Sequence, residues 1–327
     1  NLRSPLCDVA KLTKSQRKTI ERFVKIEGFG DFLERFQEDY KQTKVKTDDI
    51  FKQYKKAYIK LNKVKDYLSY YAFNGSDLLE DIVQLLGIDD ELDDNAVSNA
   101  MPCVAVNFRK PTKNTDPLMV LAFLRKGEID FEIESNKGLP KYDKISFLKW
   151  LSSGSTWRYN LDSNEFVVNK LAAELRQFGI VLSLAKALPK SVYGATRWID
   201  GNPLIQVSDR EKNLSVFWYT LFHEFGHMVE HEGSEMINEE GGLSRKNTQK
   251  REKEANEFAD RYLCNGLDVN NYIQGAKRQQ TIVDVHELAT SYKIHPMFIL
   301  YRMNKAQYFK SEKDKSNYNR LRFTLDI

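Results

Sequence analysis

Apolar residues in this chain recur mostly at spacings of three and four, the period of helices lying on a core. Within residues 9–72, Phe51, Tyr54, Tyr58, Leu61 and Val64 follow that spacing, and Lys55, Lys56, Lys60, Lys63 and Lys65 fill the gaps. Ser76-Asp77 caps a second short helix, 78–86, which ends at Gly87. Residues 104–108 alternate weakly ahead of Pro111. Residues 118–126 predict a helix ending at Gly127, residues 135–142 a linker, and residues 145–151 another helix, interrupted by Ser152-Ser153-Gly154-Ser155. From 163 to 179, Phe166, Val167, Leu171, Leu175 and Phe178 share one face, and Gly179 closes the run.

The period then shortens. Residues 180–184 form a short apolar strand candidate, and 193–199 and 204–207 are two more. Asp200-Gly201-Asn202-Pro203 joins the last two, and Asp-Gly between such runs signals a hairpin. An exposed strand of that sheet could hold an extended peptide by strand addition. Next comes a helix with Ser215 as N-cap and Gly233 as stop. Phe217, Leu221, Phe225 and Val229, flanked by Trp218 and Phe222, form its broad apolar stripe. Helix, strand, hairpin and helix in this order predict a mainly helical α+β fold, with a small sheet packed on that last helix.

The same helix carries His223-Glu224-Phe225-Gly226-His227. Residues four apart lie one above the other, so His223 and His227 can offer two imidazole nitrogens to one ion. Glu224 projects about 100° around the helix, beside the pair, where it can reach a water without displacing a ligand. Two neutral nitrogens, an open position and an adjacent base are what a zinc hydrolase needs, so a single Zn2+ is the expected cofactor and Glu224 the expected catalytic base. Of the five histidines in the chain, three crowd into residues 223–231, which argues against chance placement. His231, eight residues from His223, lies about 12 Å along a straight helix and is too far to share the ion. A metzincin pattern would need Gly at 230 and His at 233, where Glu230 and Gly233 stand. His286 and His295 remain on paper as third ligands. The following helix, 248–263, offers more: Ala255, Phe258, Ala259, Tyr262 and Leu263 form its buried stripe, flanked by Glu252, Glu254 and Asn256, while Glu257 points nearly opposite. Periodicity does not choose between Glu252 and Glu254.

Length and composition add bounds. The chain has 327 residues, enough for two or three domains and a sizeable core. No apolar run approaches the ~18 residues of a membrane span, and no secretory signal is visible. Cys7, Cys103 and Cys264 are far apart and make neither a zinc pattern nor a disulfide framework, which fits a cytoplasmic protein. The net charge is +4, but residues 1–75 carry about seven more basic than acidic groups. That excess reads first as the solvated face of helices and second as a surface for nucleic acid. The resulting division is a basic helical region at 1–75; a mixed helical linker domain at 76–160; a domain built on the His-Glu-x-x-His helix at 161–310; and a polar tail at 311–327.

With these residues assembled, the chain resembles the ImmA/IrrE metallopeptidases, in the form fused to HigA-type antitoxin regulators. The resemblance rests on Tyr193-Gly194-Ala195-Thr196-Arg197-Trp198, Pro203-Leu204-Ile205-Gln206-Val207-Ser208, the segment from Phe217 to His227, and Glu252-Lys253-Glu254-Ala255-Asn256-Glu257-Phe258-Ala259. Weaker matches lie at Val106-Asn107-Phe108-Arg109, at 123–128 and at Ile294-His295-Pro296. It implies a gluzincin-like site with His223, His227 and Glu254 as ligands and Glu224 as catalytic residue. Beside that set, Asn256 is a candidate for orienting a ligand, and Tyr193 and Arg197, near the expected cleft rim, are candidates for the oxyanion partner; on this resemblance 1–75 would be a remnant of a DNA-binding or antitoxin domain and 161–310 the ImmA/IrrE-like metallopeptidase domain. The implied substrate is a regulatory protein, such as a helix-turn-helix repressor in a phage, mobile-element or stress switch. The alternative it implies is a HigA-type antitoxin that binds operator DNA and a toxin, with a non-catalytic metal domain. No helix-turn-helix is recognisable near Asn1, where the chain could begin after one. Residues 285–302 have part of its spacing, with Lys293 where a turn glycine is usual, and read as two packed helices.

Overall fold

The computed structural model describes residues 64, 107–108, 116–231, 245–278, 284–308 and 325. The helices expected within 1–75 and at 78–86, and the polar tail, therefore lie outside the described residues, residues 64 and 325 apart. The chain divides into two compact units, one of 1–102, 115–125 and 188–191, the other of 103–114, 126–187 and 192–327. In the first, Asp116 N donates to Lys190 O and Ser191 Oγ to Met119 O. All the candidate chemistry belongs to the second. Among the described residues no helix is long and apolar enough to cross a membrane.

The elements are β1 (Asn107–Phe108), α1 (Pro117–Asn136), α2 (Lys144–Ser153), α3 (Asn164–Asn169), α4 (Leu171–Arg176), β2 (Val181–Ala185), β3 (Gly194–Ile199), β4 (Asn202–Ser208), α5 (Leu214–Glu230), α6 (Arg245–Leu263), α7 (Val269–Arg278), α8 (Val285–Tyr292) and α9 (Pro296–Lys305). The fold is mainly helical α+β, as the hydrophobic pattern predicts. The sheet order is β1-β3-β4-β2, with β2 parallel to β4 and the other pairs antiparallel. β3 and β4 form the expected hairpin: Ile199 faces Asn202, and Asp200 and Gly201 both take positive φ, as a two-residue turn of this hand requires.

Four local expectations shift. The 163–179 helix is two short helices broken at Lys170. α5 is capped by Asn213, whose side chain accepts from Ser215 N, and not by Ser215. α5 also ends at Glu230, with His231 as its C-cap, before reaching Gly233. α1 runs through Gly127 to Asn136. Gly127 is there for space: a Cβ would come within 2.0 Å of Gln206 Cδ on β4.

Strand alternation sorts the sheet into two faces. Leu182, Ile205 and Val207 face α5 and join its core with Phe217, Trp218, Leu221, Phe222 and Phe225. Val181 and Leu204 face the other way, onto Phe131 of α1. The α5 core extends N-terminal to residue 161, through Phe147, Leu151 and Trp157, and Trp157 packs on Phe222 with ring centroids 4.7 Å apart. Residues 285–302 do form two packed helices, with Lys293 in the left-handed turn between them. α9 buries Phe298, Ile299 and Tyr301, and its Arg302 bonds Tyr219 Oη of α5 and pairs with Asp260 of α6.

α5 packs most extensively against α6. At the crossing, a Cβ on Gly226 would come within 2.8 Å of Ala255 Cα, a backbone atom with no rotamer to move. Gly226→Val should therefore part the helices and cost about 1–3 kcal/mol. Thermal melting should show a Tm several degrees lower, and zinc titration should show at least tenfold weaker binding.

Candidate metal centre

α5 supplies His223, Glu224 and His227, all buried. They stand on the side of the helix that meets α6 and β3, while the aromatic stripe fills the core. The two imidazole Nε2 atoms lie 3.1 Å apart. From α6, Glu252 reaches both: its carboxylate oxygens are 3.5 Å from His223 Nε2 and 3.3 Å from His227 Nε2. Zinc bonds of about 2.1 Å in a tetrahedral set place ligand atoms about 3.4 Å apart. Each imidazole nitrogen has a different Glu252 oxygen near that spacing, and one ligand atom from each of His223, His227 and Glu252 lies within 4.8 Å of the others, the one group of this kind among the described residues. The Glu252 side chain is 34% exposed, so the centre is open to water on that side.

The surroundings favour the ligand state of each group. His223 Nδ1 lies 3.1 Å from Asn256 Oδ1. Because that oxygen only accepts, Nδ1 carries the proton and Nε2 presents its lone pair. Burial holds His227 below the ordinary imidazole range, against the raising effect of Glu252. Burial also opposes charge on Glu252, but the two imidazoles outweigh it and bring its carboxyl down to about 2. An imidazole held below its ordinary range beside an ionised carboxylate suits a cation.

Glu224 points elsewhere, towards β3. Its Oε2 accepts from Thr196 Oγ1 at 2.8 Å, and its Oε1 lies against Gly194, where a Cβ would come within 2.9 Å. It is thus adjacent in sequence to His223, with its carboxylate seated against β3 and outside the group of three.

The third-ligand expectation requires correction. Glu254 does not join the pair; its carboxylate is 3.8 Å from His231 Nε2 and 3.7 Å from Lys250 Nζ. The reason is the helix crossing. Contact falls at Ala255, and Glu252, three residues earlier, lies on that face, whereas Glu254 is rotated about 100° from it. Glu252 shares spacings of three and seven with Ala255 and Ala259, but Glu254 shares a spacing of four with Phe258, so periodicity alone was balanced.

Both cleft-rim candidates are engaged by carboxylates. Arg197 lies on the far face of the sheet from Thr196, 4% exposed, and donates to Glu128 Oε1 and Gln206 Oε1. Tyr193 Oη donates to Glu211 Oε1 at 2.7 Å, and burial with that carboxylate raises its hydroxyl to about 12. His295 caps α9 and His286 is exposed, so neither reaches the group of three.

Fold and site together define the class: an α+β domain with a candidate metal centre of the His-Glu-x-x-His kind. Residues 175–304 match the model of a peptidase family described as IrrE N-terminal-like domain, which supports the ImmA/IrrE family for that stretch and suggests a metallopeptidase. The match spans β2 to β4, α5 and α6, and so every residue of the centre. Comparison with curated proteins and with solved structures finds no match.

Glu252→Ala should weaken zinc binding at least 100-fold in a competition titration, while Glu254→Ala should stay within about twofold, because only Glu252 stands with the two histidines. Acid should act on the metal-stripped protein through both depressed groups. Unfolded His227 takes up its proton before the folded form does, so stability declines as pH falls below 6.5. Glu252 adds a second loss between 4.5 and about 2. Thermal melts should show the stability gap between wild type and Glu252→Gln closing across that lower window.

Proposed function

We propose that this protein is a zinc-dependent endopeptidase, gluzincin-like, that cleaves a regulatory protein. The observation that carries the reading is the meeting of His223, His227 and Glu252 in one group, with Glu224 next to His223 on the same helix. These three side chains would hold the ion, and Asn256 would keep His223 in the tautomer that binds it. Zinc in such a site supplies a Lewis acid, which lowers the pKa of water toward ~7 and polarises a carbonyl.

The remaining steps belong to the chain. Glu224 takes a proton from the attacking water at its carboxylate and returns it to the leaving amine nitrogen. Apolar packing around α5 keeps bulk water from the inner side of the centre, and the exposed flank of Glu252 leaves one approach. A peptide in extended form suits a site bordered by a sheet. The substrate class, a helix-turn-helix regulator, comes from the family resemblance and from the specificity such switches require.

The test compares wild type with Glu224→Gln, which keeps the ligands and removes the base. Both should bind one zinc per chain. Wild type should cleave a helix-turn-helix regulator from the same genome, and the variant should be about 10²–10⁴-fold slower. New protein N-termini should appear in cells expressing wild type alone. Equal cleavage by the two proteins would remove Glu224 from the mechanism.

A further inference from the structure

We propose that Thr196 is a positioning residue for Glu224, holding its carboxylate in the orientation proton transfer requires. The assignment rests on the zinc-peptidase reading above. Thr196 sits on β3, buried, on the sheet face that meets α5. Its Oγ1 makes two contacts with a single residue: 2.8 Å to Glu224 Oε2 and 3.0 Å to the Glu224 backbone oxygen. The single hydroxyl proton is shared between these two oxygens, so root and tip of Glu224 both lie against one strand position. That position is itself fixed, because Thr196 faces Ile205 in the β3–β4 ladder and Asn107 in the β1–β3 ladder.

The need for such a tie is physical. A glutamate has three rotatable side-chain bonds, and a base misplaced by about 1 Å can lose 10²-fold in rate. A hydroxyl donating to a carboxylate is a charge-assisted bond, stronger than one between neutral groups. Gly194, two residues earlier on the same face, completes the seat. A Cβ there would meet Thr220 Cγ2 at 2.7 Å and Glu224 Oε1 at 2.9 Å, so only glycine leaves the carboxylate where it is. One strand therefore provides a donor for one oxygen and clearance for the other. Both residues fall in the Tyr193–Trp198 run that carries part of the family resemblance, and neither belongs to the ligand set.

The experiment uses the zinc-loaded full chain and acetohydroxamate, a chelator that gives up its acidic proton to a neighbouring base on binding. Calorimetry should show Thr196→Val binding this probe about tenfold more weakly than wild type, the scale of a lost hydrogen bond to a charged group. Thr196→Ser should recover wild-type affinity to within about twofold, and zinc content should be unchanged in both. In a Glu224→Gln background, Thr196→Val should cause no further loss. In cleavage assays, kcat should fall and KM should not. Wild-type affinity in Thr196→Val, or the same loss with and without Glu224, would overturn the assignment, the latter by showing a general structural effect. Failure of wild type to take up zinc would overturn the metal reading and this assignment with it, and is seen before any variant is compared.

Discussion

The candidate centre depends on how closely α5 and α6 approach each other. Two histidines one turn apart on a helix supply only two ligand atoms, however well they are oriented. The third must come from elsewhere in the chain, and its distance is set by backbone packing. Gly226 lies between the histidines in sequence and rests on Ala255, so the helix backbones meet without intervening side chains. That contact brings Glu252 within 3.5 Å of both imidazoles. Glycine in mid-helix costs about 1 kcal/mol of helix propensity against alanine, and here the cost is offset by packing that a Cβ would prevent.

Polar contacts hold the crossing in register. Tyr219, one turn before His223, donates to Asp260 at 2.9 Å and contacts Cys264 Sγ at 2.7 Å, and Arg302 closes the cluster from α9. Burial pushes the Tyr219 hydroxyl well up and the Cys264 thiol to about 11, so both stay neutral. At the other end of α5, Lys144 donates to Val229 O, placing a cation at the helix C-terminus, where the macrodipole favours it. The sheet fixes Glu224 from a third direction, while its far face is sealed by α1 through the Arg197–Glu128 pair and Gln206. An arginine that seemed placed for catalysis is thus part of the layer that keeps the sheet rigid.

Much of this was legible in the sequence, and the reasons for the exceptions are specific. The hairpin was legible because Asp-Gly demands one backbone conformation, and the metal pair because four-residue spacing leaves histidines no other geometry on a helix. The choice between Glu252 and Glu254 was not, since both lie at spacings compatible with the buried stripe and only the crossing point separates them. Gly127 reads as a stop in the sequence because spacing alone does not separate a glycine that ends a helix from one that makes room for a neighbour. Thr196 carried no mark of its own, because its role arises from a strand and a helix meeting across 28 residues of chain.

Crystals of the zinc-loaded full chain, measured on both sides of the zinc absorption edge, offer the most direct test of the helix-crossing centre. One anomalous peak is expected, about 2.0–2.2 Å from Nε2 of His223, from Nε2 of His227 and from a carboxylate oxygen of Glu252. A peak bonded to Glu254 or His231 in place of Glu252, or no peak between the two helices, would contradict it.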